Sequence, residues 1–303
     1  MTSKSCAALA ACAALSLLPS AAQAHGFVGD RFFPATVLTD DPFVADEMSL
    51  PTFTIDPSGP DHSREFDLET DISKTLTRDI GITISDQWEH LRPKGSPAAT
   101  GLGTLDTELD WQFFKNAPHE ATMMLGLNTS WAHTGRVQAL GADDFTTLSP
   151  LLDFGKGFGD LPDNLPWIRP FAITGNLSFG FPTKTESAGT PNPNNFNYGF
   201  AFEYSLPYLE QNVKDIGLRP PFSQMIPLVE VSYSTALNHG QGGQTIGTVQ
   251  PGIIWSGQYF QISAEAIIPA TRQTGNGYGG LVQLHFYLDD IFPNSFGKPL
   301  FGD

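Results

Sequence analysis

The stretch Val282-Gln283-Leu284-His285-Phe286-Tyr287-Leu288 puts an apolar residue at every second position, with Gln283, His285 and Tyr287 between them. Just upstream, Phe260, Ile262, Ala264, Ala266 and Ile268 alternate in the same way with Gln261, Ser263, Glu265 and Ile267. Successive side chains of a β-strand point to opposite faces, so each stretch reads as a strand with one apolar and one polar face. About ten residues of such alternation are what a strand needs to cross a membrane, with lipid on one side and an aqueous lumen on the other. Soluble sandwiches alternate as well, so the rest of the chain has to discriminate.

Working toward the N-terminus, the same pattern recurs. Phe66, Leu68, Thr70 and Ile72 oppose Asp67, Glu69, Asp71 and Ser73; Leu105, Thr107, Leu109, Trp111 and Phe113 oppose Asp106, Glu108, Asp110 and Gln112. Further strands are read around 80–85, 122–131, 171–181, 196–205, 229–234 and 245–256. One more inside 133–168 and a short one at Pro51–Ile55 bring the count to twelve. An even count with both termini on one side is what an outer-membrane barrel requires. The expectation is therefore all-β: an antiparallel transmembrane β-barrel of about twelve strands, with ten as the alternative. Pro227 and Pro251 each remove a ladder donor and call for a bulge or a strand end. Lys74, on an apolar face, is expected to snorkel at a rim. Trp88, Trp111, Trp131, Trp167, Trp255, Tyr278, Tyr287 and Phe292 gather near strand ends, as interfacial girdles do.

The chain's ends set the compartment. Lys4 precedes an apolar run over 6–18, and Ala22-Gln23-Ala24 is a small-x-small cleavage site; residues 1–24 read as a secretory signal peptide cut at Ala24/His25. Both cysteines lie inside it, so disulfides cannot stabilise the exported chain. No later apolar run reaches the ~18 residues of a membrane helix. Residues 25–62, rich in Pro and Asp, read as an extended segment, a plug or a periplasmic arm. The barrel is assigned to 63–292, and 293–303 form a tail. With 16 Lys and Arg against 32 Asp and Glu, the chain has no excess of positive charge to neutralise a polyphosphate backbone, which argues against nucleic acid as a partner.

The polar faces are acidic. Asp67, Glu69, Asp71, Asp106, Glu108 and Asp110, joined by Glu203, Glu230 and Glu265, are candidate lumen-lining selectivity residues, because carboxylates in a low-dielectric wall favour cations and repel anions. Pairing with Arg136, Arg169 or Arg219 would instead make them structural. His25, as the mature N-terminus, offers an amine and an imidazole to a metal such as copper, though no other His has ligand spacing. Gly275-Asn276-Gly277-Tyr278-Gly279-Gly280 matches a dinucleotide fingerprint but enters a strand rather than opening a helix, and reads as a loop. No nucleophile elbow, P-loop or zinc-protease motif occurs, so neither enzyme activity nor a cofactor is expected.

Residues 152–162, Leu-Asp-Phe-Gly-Lys-Gly-Phe-Gly-Asp-Leu-Pro, with Trp167-Ile168-Arg169-Pro170-Phe171 and the ending Phe286-Tyr287-Leu288-Asp289-Asp290-Ile291-Phe292, resemble the outer-membrane family named after the MetA pathway of phenol degradation. The resemblance spans about 64–292. It implies a transporter-like barrel and small hydrophobic or aromatic cargo, and brings no site residues with it. The tail Pro293–Asp303 departs from the usual barrel terminus. The function expected is a passive outer-membrane channel for small solutes, with membrane lipid, the barrel-assembly machinery and a small-molecule solute as partners. The alternatives are a soluble periplasmic β-protein binding a ligand or metal, and a structural barrel without an open pore.

Overall fold

The computed structural model describes residues 26–39, 41–56, 63–136, 140 and 143–302. The expected signal peptide and His25, with its metal assignment, lie outside them. Twelve antiparallel strands form the wall: β1 (Glu47–Asp56), β2 (Arg64–Thr75), β3 (Ile80–Arg92), β4 (Asp106–Asn116), β5 (Ala121–Ser130), β6 (Thr147–Gly157), β7 (Phe171–Pro182), β8 (Asn195–Tyr204), β9 (Met225–Ala236), β10 (Thr245–Ser256), β11 (Phe260–Pro269) and β12 (Gly279–Tyr287). Each pairs with the next, and β12 pairs with β1, so the sheet closes and leaves no edge. The strand expected inside 133–168 is β6. The one expected at Pro51–Ile55 is β1, twice as long, and the barrel wall therefore begins at Glu47 rather than at 63.

Burial is inverted relative to a soluble protein. Ile84, Leu109, Leu125, Phe179, Phe202, Ile253, Ile262 and Val282 are exposed, while Gln261, Ser263, Thr174, Glu203 and Glu230 are buried. Backbone groups paired within a closed sheet and apolar side chains turned outward are what a bilayer demands of strands. A soluble sandwich would need a second sheet over those outward faces, and among the described residues the closed ring has none.

Several expectations need correction at the residue level. Tyr287 is not a girdle residue: it turns inward, 3% exposed, and its hydroxyl donates to Gln261 Oε1 at 3.0 Å. Leu288 does not extend the apolar face of β12; it starts a short helix, Leu288–Ile291, and is buried. Pro227 lies near the start of β9, but Pro251 sits within an unbroken β10 without a bulge. The β10–β11 ladder keeps one register and simply lacks pairs between Val249/Ile268 and Gly252/Glu265. Bulges occur elsewhere, between Ser49 and Thr52 and between Trp111 and Phe114.

The connections 76–79, 117–120, 158–170, 205–224 and 257–259 share one end of the barrel with the first and last described residues. In outer-membrane barrels that end faces the periplasm. The tail crosses it: Leu300 N–H donates to Thr75 O at 3.1 Å and Phe301 N–H to Leu76 O at 2.8 Å. Lys74 does not snorkel to water. Its ammonium bonds Asp46 Oδ1 at 2.6 Å and the carbonyls of Phe296 and Lys298 at 2.8 Å each.

Candidate functional site

Residues 26–46 enter the lumen from the end that carries the termini. A two-residue hairpin, Phe27–Val28 with Arg31–Phe32, opens the segment. Arg31 is fully buried and meets the turns of that end: Nε donates to Glu120 Oε2 at 3.1 Å and Nη1 to Pro170 O at 2.9 Å. Its guanidinium lies 3.6 Å over the Tyr208 ring, whose hydroxyl donates to Glu120 Oε1 at 2.6 Å. Burial, then this bond to a carboxylate, pushes the Tyr208 phenol up to about 12, so it stays a donor. A buried charge survives only when paired and hydrogen-bonded, and Arg31 is both.

Higher in the lumen, Gln261 donates to Ala35 O, and Gln112 and Thr122 donate to Pro42 O. The tip of the segment wraps one carboxylate. The backbone N–H groups of Val37, Leu38 and Thr39 donate to Glu230 at 3.2–3.3 Å, and the Thr39 hydroxyl donates at 3.0 Å. Glycines on the wall make room: a Cβ on Gly199 would stand 2.8 Å from the Thr39 methyl, and one on Gly155 3.0 Å from Pro42.

The nine acidic candidates therefore divide. Glu203, Glu230 and Glu265 lie beneath the inserted segment, each at most 6% exposed. Glu203 accepts from Thr174, Glu230 holds the tip, and Glu265 is buried beside Glu230. Of the remaining six, on β2 and β4, Asp110 is also buried, 6% exposed, and the other five face the side of the lumen that the segment leaves open. Glu69 and Asp106 line an outer cavity of about 220 Å³ together with Glu65, Asp86, Glu89 and Asp143. Glu69, Asp71 and Glu108 line a deeper one of about 140 Å³, bounded by Ala35–Leu38 of the segment and by Glu47, Ser49 and His285. Glu69 and Ser85 belong to both. Asp67 and Asp110 share the inward face without lining either cavity. Burial, with Asp106 and Asp144 adding to it, raises the Asp143 carboxyl in the outer loop above the ordinary range, as crowded carboxylates do.

The arginines considered as partners lie elsewhere. Arg169 pairs with Asp163, Arg136 bonds Thr100 O, and Arg219 is exposed beyond the wall. Among the described residues, no Lys or Arg forms an ion pair with Asp67, Glu69, Asp71, Asp106, Glu108, Glu230 or Glu265.

His285 completes a network that sequence reasoning missed. Its Nδ1 is 3.0 Å from Ser49 Oγ and its Nε2 3.1 Å from Glu47 Oε2. Although this imitates a nucleophile–base–acid chain, the Ser49 N–H already donates to Asp71 Oδ2 at 3.2 Å. A second carboxylate thus sits where a developing oxyanion would need donors. The network joins β12, β1 and β2 across the closure seam.

No protein-family model matches the chain, and neither does any curated protein. Solved structures do. An outer-membrane channel from Pseudomonas putida F1 superposes with a TM-score of 0.55 at 10% identity, over 84% of this chain and 99% of that one. The KdgM porin matches with a TM-score of 0.48 at 9% identity, over 79% of this chain and 98% of that one. The NanC porin does so at 0.49 and 6%, over 80% and 98%. This chain shares the β-barrel fold of the Pseudomonas putida outer-membrane channel.

Proposed function

We propose that the protein is a passive outer-membrane channel whose lumen is narrowed by its own N-terminal segment, and that it passes small cationic or polar solutes. The observation that carries this reading is the set Glu69, Asp71, Asp106 and Glu108, which forms no ion pair with a described Lys or Arg and lines the outer cavity and the gap beside residues 35–38. Fixed negative charge along a constriction concentrates cations and excludes anions. The lining is polar, which favours charged solutes over the aromatic cargo that the family resemblance implies. Selection comes from the width of the gap and its charge.

The test is the reversal potential of the full chain in planar bilayers under a potassium chloride gradient. Wild type should prefer potassium, and the triple variant Glu69→Gln/Asp71→Asn/Glu108→Gln should lose most of that preference while still conducting. Equal selectivity in both would defeat the assignment of these residues. Acidification should act in the same direction, because protonated carboxyls carry no field.

A further inference from the structure

Arg64 and Arg92 face each other directly in the β2–β3 register, at the rim opposite the termini. Arg64 shares its face with Phe66 and Leu68, and Arg92 with Trp88 and His90, so both guanidinium groups stand on the lipid side of the wall. Both are exposed, and among the described residues neither forms an ion pair with a carboxylate. Like charges directly opposite on adjacent strands destabilise a sheet. In a chain with 32 acidic residues against 16 basic ones, leaving two arginines face to face calls for an anion.

Reaching from them toward the membrane lies an outward-facing groove of about 440 Å³ lined by Ile55, Phe66, Trp88 and His90 together with the two arginines and one carboxylate, Glu65, which is outnumbered by the two guanidinium groups. Its floor is an aromatic ladder: Phe66 meets Trp88 edge-on at 6.5 Å, and Trp88 stacks on His90 at 6.3 Å. Arg92 Nε donates to His90 Nε2 at 2.9 Å, which holds the guanidinium at the head of the groove. An apolar trough ending under two guanidinium groups matches an amphiphile with an anionic head, and planar guanidinium forks suit phosphate oxygens better than any other side chain does.

We propose that Arg64 and Arg92 hold the phosphate of an outer-leaflet lipid whose acyl chain lies along Ile55, Phe66 and Trp88. This rests on the outer-membrane reading above, since it needs this rim to meet the outer leaflet.

The test uses the full chain purified in detergent and lipid A, a phosphorylated, acylated disaccharide, as the probe, with retained lipid counted by native mass spectrometry. Wild type should retain lipid A, and Arg64→Gln/Arg92→Gln should bind it roughly tenfold more weakly, equivalent to about 1.4 kcal/mol. Millimolar inorganic phosphate should fail to displace it. Equal retention by the variant overturns the proposal, and so does full displacement by phosphate, which would mark a free-anion site. Gel mobility before and after boiling, and conductance, are measured on the same preparations. A barrel that shifts and conducts but ignores lipid A sinks this inference alone, whereas a protein that neither shifts nor conducts sinks the channel reading.

Discussion

Glu230 is one carboxylate on β9 holding three consecutive backbone N–H groups and one hydroxyl of the inserted segment. Nothing local in Val229-Glu230-Val231 distinguishes it from any lumen-facing acid, and its partner lies more than 190 residues away, so the sequence could place it on the polar face but not give it this task. Glu230→Ala leaves those donors without an acceptor, at about 1–3 kcal/mol per buried group, and the segment should leave its seat. Arg31, fully buried in the wild type, then becomes a trypsin site. Mass spectrometry of the trimmed chain reads this directly, and an Arg31 that stays protected in the variant would show the seat to be held without Glu230. Gly199→Val should produce a milder version by pressing on Thr39. It changes no charge, which separates steric from electrostatic release.

At the scale of elements, the strands were legible because alternation survives wherever lipid lies on one side and a polar lumen on the other. The seam was not. In β1 the run Ser49-Leu50-Pro51-Thr52 carries a bulge against β2 and β12, and a bulge shifts the inward parity by one residue, which erases the period. Only the end of the strand was therefore recognised. His285 was correctly put on the polar face, yet its partners Glu47 and Ser49 fell in the unread part of β1. Because the barrel closes at this seam, His285→Leu should cost roughly 2 kcal/mol or more through two lost buried partners. The loss should appear as a lower urea midpoint and a lower temperature for the folded-to-unfolded gel shift. A midpoint equal to wild type would mean that the ladder alone secures closure.

For the whole molecule, the deciding relation is between the wall and what fills it. Residues 26–46 gave no secondary-structure signal because they form almost none; their order comes from contacts with β4, β5, β8, β9 and β11 that exist only after closure. Their burial is nonetheless nearly complete around Phe33–Thr36 and Asp41–Phe43. Deleting 26–41 leaves Asp46 in place for Lys74 and Thr75 and removes no strand of the wall, so the barrel should still resist unboiled detergent. Conductance should rise severalfold. Cation preference should fall at the same time, because it depends on carboxylates standing close to the ion's path. Once the lumen is wide and water-filled, charges on β2 and β4 are screened within a Debye length of about 8 Å at physiological salt. The two changes must move together if the segment is the constriction. A rise in conductance with selectivity intact would instead put the selective acids in the outer vestibule around Glu65, Glu89 and Asp106, above the reach of the segment. Unchanged conductance would mean that the pore is closed by something other than residues 26–41.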